Sequence, residues 1–524
     1  MGKSQKNKKE ISKLAAGLLK TGSTWFGQQE LKKFNISAEK LKKENHNALV
    51  CKTYKTNDGQ EDYFSLEWIS DEESCVAEDF CRLLVANDWP NYPNGVIDKA
   101  IDMFEARKAE ETGKNFKLHD QQRAAVRGMV NNSIFVLTGG PGTGKTFTLE
   151  AGISVIEMLH KGIDIRLTAP TGKAACRMTE STGRPAKTIQ KELGITYTNS
   201  ISKDYTGDLL IVDEISMLDM DTAYQLSSAM KSGKHLILVG DTDQLPSVGG
   251  GAVLRDLLES EVIPSVCLTK TYRQANESAL FGNILRVRDG NINLVEDEKE
   301  FPIVNIQKDK VEKQCVDLVL KEIEKYGIEN VVCLMPYRRN GKLCSNNINN
   351  LLQQRLNPRK PGQPFMQTYV DGGRPVIYMA NDQVMQLKNR EECVNGDVGK
   401  VIKASAKKLI VDFNGTQVAY EKEEVREQLS LAYAMSINKS QGSEYKSVVM
   451  CISTEHDILL QRNMLYTGIT RAKERCVLLC DKDAIGKAMG NEAMWINNYT
   501  CGRTTMLAEK LRYYKKKFEL EATA

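Results

Sequence analysis

The sequence predicts an α/β protein of several domains, and three observations carry that reading. From about Leu118 to Leu268, apolar strands alternate with amphipathic helical stretches, the pattern of a parallel sheet covered by helices. One of those strands, Ser133 to Thr138, runs into a glycine-rich loop, Gly139-Gly140-Pro141-Gly142-Thr143-Gly144-Lys145-Thr146, that opens a helix. From about Pro361 to Gln428 the pattern changes to short strand-like runs with turns at Asn395-Gly396-Asp397 and Asn414-Gly415, which predicts a small β-barrel inserted into a second α/β lobe.

The glycine-rich loop reads as a phosphate cradle. Glycines admit the left-handed and close-approach conformations that let successive N–H groups converge on an anion, and the helix N-terminus adds partial positive charge. Lys145 is placed to reach the β- and γ-phosphates, and the Thr146 hydroxyl to ligate Mg²⁺. A second apolar strand ends in Asp213-Glu214, paired carboxylates suited to holding Mg²⁺ through Asp213 and orienting an attacking water through Glu214. A third, His235 to Gly240, leads to Gln244, at the strand end where open α/β sheets place their ligand crevice. Gln244 reads as a γ-phosphate sensor or as a turn side chain satisfying local backbone. The expected ligand is a nucleoside triphosphate with Mg²⁺, and the expected chemistry is hydrolysis.

Further motifs follow in order. The phosphate loop, Thr168 to Ala175, Val212-Asp213-Glu214, Gly240 to Val248, Tyr272-Arg273-Gln274, Ile437 to Glu444 and Tyr466 to Lys473 together resemble the motor motifs of RecD-like DNA helicases, superfamily 1B, over roughly residues 115–512. The resemblance implies two RecA-like parallel-sheet motor lobes, ATP as fuel and 5′-to-3′ movement. It implies that Arg273 and Arg471 bring positive charge to the transferring phosphoryl group, a contribution of roughly 10³ to 10⁵ in rate, and that Glu444 joins the loop in contacting nucleotide. The Gln122 carboxamide matches the adenine N6/N7 edge, which implies ATP preference; it also reads as an ordinary exposed helix residue. Pro170, Thr171, Thr188, Asn438 and Ser440 are implied to hold DNA phosphates without reading sequence. At Gln190 and Asn438 this chain departs from the family, which usually carries His at both.

Around the motor the organisation is also readable. A basic tail (1–9) precedes helix, helix, helix and hairpin over 10–70, an order that fits a winged helix, with Ser37 as a cap and Lys40, Lys42 and Lys43 on an exposed face. That module reads as touching DNA or as docking a protein. A helical linker (71–114) leads to the first lobe (115–268). The second lobe comes in two parts, 269–360 and 429–524, around a barrel resembling an SH3 fold (361–428), and closes with a helix from Thr504 to Phe518. Within the first lobe, Gly194 to Asp208 reads as a β-hairpin, either the strand-separating pin of the family or a connector without function.

At 524 residues with 41% hydrophobic and 27% charged content, the chain has enough apolar sequence for several cores. Its net charge of +4, from 72 basic and 68 acidic residues, confines any nucleic-acid surface to a local channel. Thirteen cysteines without a CxxC pair argue for buried thiols in a reducing compartment and against zinc. No apolar run of about 18 residues and no secretory pattern is present, so a cytoplasmic location without membrane contact is expected. The expected function is an ATP-dependent DNA helicase of repair, recombination or replication, a monomeric motor on single-stranded DNA and duplex junctions. The alternatives are a nucleic-acid-stimulated ATPase that remodels protein–DNA complexes, and the motor subunit of a nuclease complex.

Overall fold

The computed structural model describes residues 9–523 except 45–47, 57–58, 87–88, 196–201, 272–277, 371–373, 391 and 491–502. Strands Ile134–Gly139, Ile165–Ala169, Ala186–Thr188, Leu209–Val212, His235–Gly240 and Ser265–Leu268 form one six-stranded, wholly parallel sheet. Their side chains alternate between two cores. Val136, Leu210, Val212, Leu236 and Leu238 face one, and Leu137, Leu209, Ile211, Ile237 and Val239 face the other, as strands buried on both faces require. The three motif-bearing strands are neighbours, in the order Leu209–Val212, His235–Gly240, Ile134–Gly139. The carboxyl ends that carry Asp213-Glu214, Gln244 and the glycine loop therefore lie side by side.

The second lobe is a five-stranded parallel sheet, in the order Ala434–Ser436, Val331–Met335, Tyr445–Ile452, Ala472–Cys480, Ile303–Asn305. Between its parts sits an antiparallel insertion. Five strands run in the order Thr416–Glu421, Lys408–Phe413, Val398–Ala404, Gln383–Gln386, Leu429–Leu431, beside the hairpin Phe365–Val370 and Arg374–Met379. The strands at Phe365–Val370 and Leu429–Leu431 carry no expectation from sequence. The first is masked by the Pro-rich approach to it, and the second is only three residues long.

Residues 71–114 are not a linker. Helix Glu67–Val85 buries Val76, Phe80 and Cys81 on one face of the first sheet, and Asn94–Thr112 buries Ile97, Ile101 and Phe104 on the other. The last helix, Leu507–Thr523, also departs from expectation. It leaves the second lobe and packs on Glu67–Val85, with Leu507 and Leu511 fully buried in the first-lobe core. Burying a leucine contributes about 1.5–3 kcal/mol, so two such anchors hold the returning chain. Ser202 to Thr206 is irregular where a hairpin strand was expected, because Tyr205 turns inward and its hydroxyl donates to Leu209 O at 2.8 Å. Residues 196–201 of that segment lie outside the described residues, as does Arg273.

At the N-terminus, helices Lys9–Thr21, Gln28–Lys33 and Ala38–Glu44 and the hairpin Leu49–Thr56 with Gly59–Leu66 enclose Leu14, Leu18, Phe26, Leu31, Leu41 and Phe64. Ser37 Oγ accepts the Lys40 N–H at 3.3 Å, the expected cap. One buried carboxylate fastens this unit to the motor. Glu73 accepts from Trp25 Nε1 at 2.8 Å and from the Thr24 hydroxyl, and pairs with Lys510 Nζ at 3.2 Å. Burial pulls the Lys510 ammonium below its usual range, so its charge depends on Glu73. Glu73→Ala is expected to cost about 3–5 kcal/mol, read as a lowered midpoint in thermal or urea unfolding. Parental stability would mean that this pair does not hold the unit.

Candidate nucleotide site between the two lobes

The glycine loop is held by packing as much as by torsion. A Cβ at Gly139 would meet Leu268 O at 2.8 Å, and Gly142 and Gly144 have φ of 73° and 83°, so none of the three tolerates a side chain. Thr143 Oγ1 donates to Gly140 O at 2.8 Å and closes the turn. Lys145 and Thr146 open helix Lys145–Leu159. Lys145 Nζ donates to Gly140 O at 3.1 Å and to Gly139 O, so the ammonium is stationed within the loop. Pro141 lines the same cleft, and the Thr146 hydroxyl lies on its exposed side.

Asp213 and Glu214 stand opposite the loop. Burial and the adjacent Glu214 charge push the Asp213 carboxyl up to about 6, although it accepts the Glu214 N–H at 2.8 Å and feels Lys145 and Arg177. Glu214 is left-handed, with φ of 53°, a conformation that costs a non-glycine residue about 1–3 kcal/mol and concentrates at functional sites. Gln244 is 8% exposed. Its Nε2 donates to Asp241 Oδ2 at 3.3 Å, and its Oε1 makes no hydrogen bond. A buried, unpaired carboxamide oxygen is costly, and a ligand donor or bound water would relieve it.

The second lobe completes the cleft. Gln244, Lys145, Asp213, Glu214, Glu444 and Arg471 line one space of about 330 Å³. Arg471 follows helix Arg462–Ile469 and immediately precedes strand Ala472–Cys480. It is 3% exposed, and its guanidinium donates only to neutral acceptors: Thr467 O at 2.9 Å, Thr470 Oγ1 at 3.1 Å and Ser443 O at 3.3 Å. Burial pulls it below its usual range. A desolvated cation without an ion-pair partner among the described residues, beside a phosphate-sized cleft, is what an arriving anion would neutralise.

Glu444 lines the cleft but is already paired, with Arg177 from the first lobe and with Lys473 Nζ at 3.3 Å from the second. It therefore bridges the lobes and is not a free nucleotide ligand. Gln122 does not line the cleft. It is buried at the start of helix Asp120–Asn131, where its Oε1 accepts the His119 N–H at 3.0 Å, so it is not the exposed helix residue of the alternative reading, and the acceptor expected to meet adenine is used as a cap. Sequence reasoning also missed Arg177, Tyr466, Thr470 and Lys473, which line or support the cleft. Tyr466, Thr470 and Lys473 stood inside a motif already noticed, whereas Arg177 sits on a helix face with no sequence signal.

The DNA-facing expectations fare unevenly. Thr171 Oγ1 accepts the Ala174 N–H at 3.3 Å, and Thr188 Oγ1 the Lys191 N–H at 3.2 Å; both hydroxyls cap helices. Thr188 and Ser440 are buried, and Ser440 Oγ donates to Ile437 O at 2.7 Å, so neither hydroxyl is presented to a strand. Pro170 and Thr171 are half-buried at the start of the helix whose Ala174 abuts Gly442, and Asn438 is exposed on the turn Ile437–Ser440. The insertion reaches the same place. Val394 packs so closely on Gly172 that a Cβ there would lie 1.7 Å from its Cγ2, and Asn395 Oδ1 accepts from Lys439 Nζ at 3.0 Å.

A phosphate loop, a carboxylate pair and a cation from a second parallel sheet, all on one cleft, define a two-lobed candidate nucleotide site. Comparison with known proteins agrees. The model of the AAA domain family matches residues 117–302, and that of the UvrD-like helicase C-terminal domain matches 431–479. The ATP-dependent RecD2 DNA helicase of Deinococcus radiodurans is 34% identical over 361 residues, 68% of this chain and 48% of that protein. The RecBCD enzyme subunit RecD of Mycolicibacterium smegmatis is 27% identical over 493 residues, 86% of this chain and 82% of that one. Among solved structures, the Pif1 helicase from Bacteroides in complex with ADP-AlF3 and ssDNA matches with a TM-score of 0.43 at 19% identity, covering 69% of this chain and 92% of that one. The chain belongs to the RecD-like helicase family of superfamily 1B. It spans about half the length of the RecD2 helicase it matches.

Arg471→Ala is expected to lower kcat by roughly 10³ or more with a smaller loss of nucleotide affinity, since such a group acts mainly on charge that develops in the transition state. Steady-state ATPase kinetics beside a nucleotide-binding titration will read the split. A mild, equal loss in both would place the guanidinium in a purely structural role.

Proposed function

We propose that this chain is an ATP-dependent DNA helicase that tracks 5′ to 3′ along single-stranded DNA and opens duplex ahead of it, in repair, recombination or replication. The observation that carries the reading is the shared cleft. The loop and carboxylates come from the first sheet, the buried Arg471 from the second, so the hydrolysis state of one nucleotide bears on how the two lobes sit. Lys145 and the loop N–H groups would bind the phosphates, Gln244 would contact the γ-phosphate or the attacking water, and Glu214 would orient that water. Arg471 is placed to offset charge on the transferring group, and Arg273 is proposed as its companion from the family resemblance.

Asp213 and Thr146 fit a Mg²⁺ ion. Asp213 is a carboxyl raised by burial and by the adjacent Glu214 charge, a strain that a divalent cation would offset, and the exposed Thr146 at the helix start lines the same cleft. The ion would neutralise phosphate charge, and the loop would orient the chain of phosphates. Pro170, Thr171 and Asn438 are proposed to contact the DNA backbone. The N-terminal unit is proposed as winged-helix-like and the insertion as SH3-like. The segment 194–208 is proposed as the strand separator. No helix among the described residues is long and apolar enough to cross a membrane.

The RecD subunit that this chain covers over 82% of its length is named as part of RecBCD, which favours a second reading, a motor docked through the N-terminal unit to partner proteins. A monomer that unwinds alone would separate the two.

Two measurements test the proposal. Lys145→Ala should abolish DNA-stimulated turnover, whereas Glu214→Gln should bind ATP yet hydrolyse it about 10² to 10⁴ times more slowly; wild-type turnover in the first would refute the loop's role. In a strand-displacement assay a 5′-tailed duplex should open with ATP and a 3′-tailed one should not. The reverse preference would overturn the polarity, and ATP hydrolysis without unwinding of either would favour a remodelling ATPase.

A further inference from the structure

Three cysteines meet in the core of the second lobe, apart from the nucleotide cleft. Cys333 lies on strand Val331–Met335, Cys451 on its parallel neighbour Tyr445–Ile452, and Cys315 on helix Val311–Tyr326, which packs over both. The Cys315 Sγ is 3.7 Å from that of Cys333 and 3.3 Å from that of Cys451, and all three sulfurs lie within 4.8 Å of one another. Each residue is fully buried. Cys333 pairs in register with Val449, so Cys451 stands two residues further on the same face of the sheet. Hydrogen bonding from Cys333 and Cys451 favours the Cys315 thiolate.

Three sulfurs bonded to one soft centre at about 2.3 Å lie about 3.3 to 4.0 Å apart, from a pyramidal to a planar arrangement. The observed array is close to that range. A structural zinc takes four ligands in a tetrahedron, and the group holds three among the described residues. Softness limits the ligand to thiophiles, and charge narrows it further. Three thiolates carry three negative charges, so a monovalent or divalent ion would leave net charge in an apolar core, at a cost of several kcal/mol per charge. A trivalent centre leaves none.

We propose that Cys315, Cys333 and Cys451 form a binding site for a trivalent thiophilic metalloid of the arsenite class. Arsenous acid, As(OH)₃, exchanges its three As–O bonds for three As–S bonds. Each thiol proton leaves with a hydroxyl as water, no electron is transferred, and the product is neutral. Entry requires the helix Val311–Tyr326 to lift from the sheet, so loading is slow, and the bound centre then ties helix and strands together.

The test uses the full chain with Cys51, Cys176 and Cys267, the exposed cysteines among the described residues, replaced by serine. After anaerobic incubation with sodium arsenite and gel filtration, one arsenic per chain should remain, with three sulfurs as its nearest neighbours by X-ray absorption. Cys333→Ala on that background should retain arsenic about tenfold less tightly or worse. Retention that disappears with the exposed cysteines, or an arsenic bound by two sulfurs, would overturn the site. Should Cys333→Ala fail to fold, the sulfur count in the parent decides.

Discussion

The loop Asp241 to Leu245 belongs by sequence to the first lobe and by hydrogen bonding to the second. Leu245 N–H donates to Thr467 Oγ1 at 2.8 Å, Gln441 Nε2 donates to Leu245 O at 2.8 Å, and Asn463 Nδ2 donates to Asp243 O at 3.0 Å. Tyr466 donates its hydroxyl to Asp241 Oδ2 at 3.1 Å. All but the half-buried Asn463 bond are buried, where each bond lost leaves an unpaired group at a cost of about 1–3 kcal/mol. The side chain in the middle is Gln244. A change felt at its carboxamide is therefore transmitted through backbone already clasped by the other lobe, without any need for a separate relay.

Charge is arranged around that clasp so that neither side is satisfied by protein alone. Arg471 is a buried cation bonded to neutral oxygens, and Asp213 is a carboxyl raised above its usual range by burial and by the Glu214 charge beside it. An anion relieves the first and a cation the second, so a metal–triphosphate is complementary as a unit where either ion alone is only partly so. The Glu444 bridge to Arg177 and Lys473 lies at the same cleft and keeps two further cations paired.

Much of this was legible in sequence wherever a residue type has one physical use. The phosphate-loop glycines, the alternation of strand and helix in the first lobe and the carboxylate pair follow from local pattern, and Lys145 could hardly stand elsewhere. Legibility failed where tertiary packing decides. Thr188 and Ser440 carry hydroxyls that look available in a motif, yet burial commits them to backbone within three residues. Gln122 looked available to adenine, or else exposed, because the packing of its helix against Asn94–Thr112 and Lys145–Leu159 is not revealed by periodicity within that helix. The span 71–114 looked like a connector because its apolar positions match no strand until the sheet is assembled. Arg177 could not be found at all, since one arginine on a helix resembles any other until the facing lobe is present.

The return of helix Leu507–Thr523 to the first lobe bears on how the chain is made. Synthesis runs from the N-terminus at about 5–20 residues per second, and domains generally fold as they emerge. Here the face of helix Glu67–Val85 that receives Leu507 and Leu511 is translated more than 400 residues before its cover. A nascent first lobe thus waits for tens of seconds with Phe80 and Cys81 beside an open seam. That interval is long enough for a chaperone to occupy the seam, and the closing helix must then compete for it as the whole second lobe finishes behind.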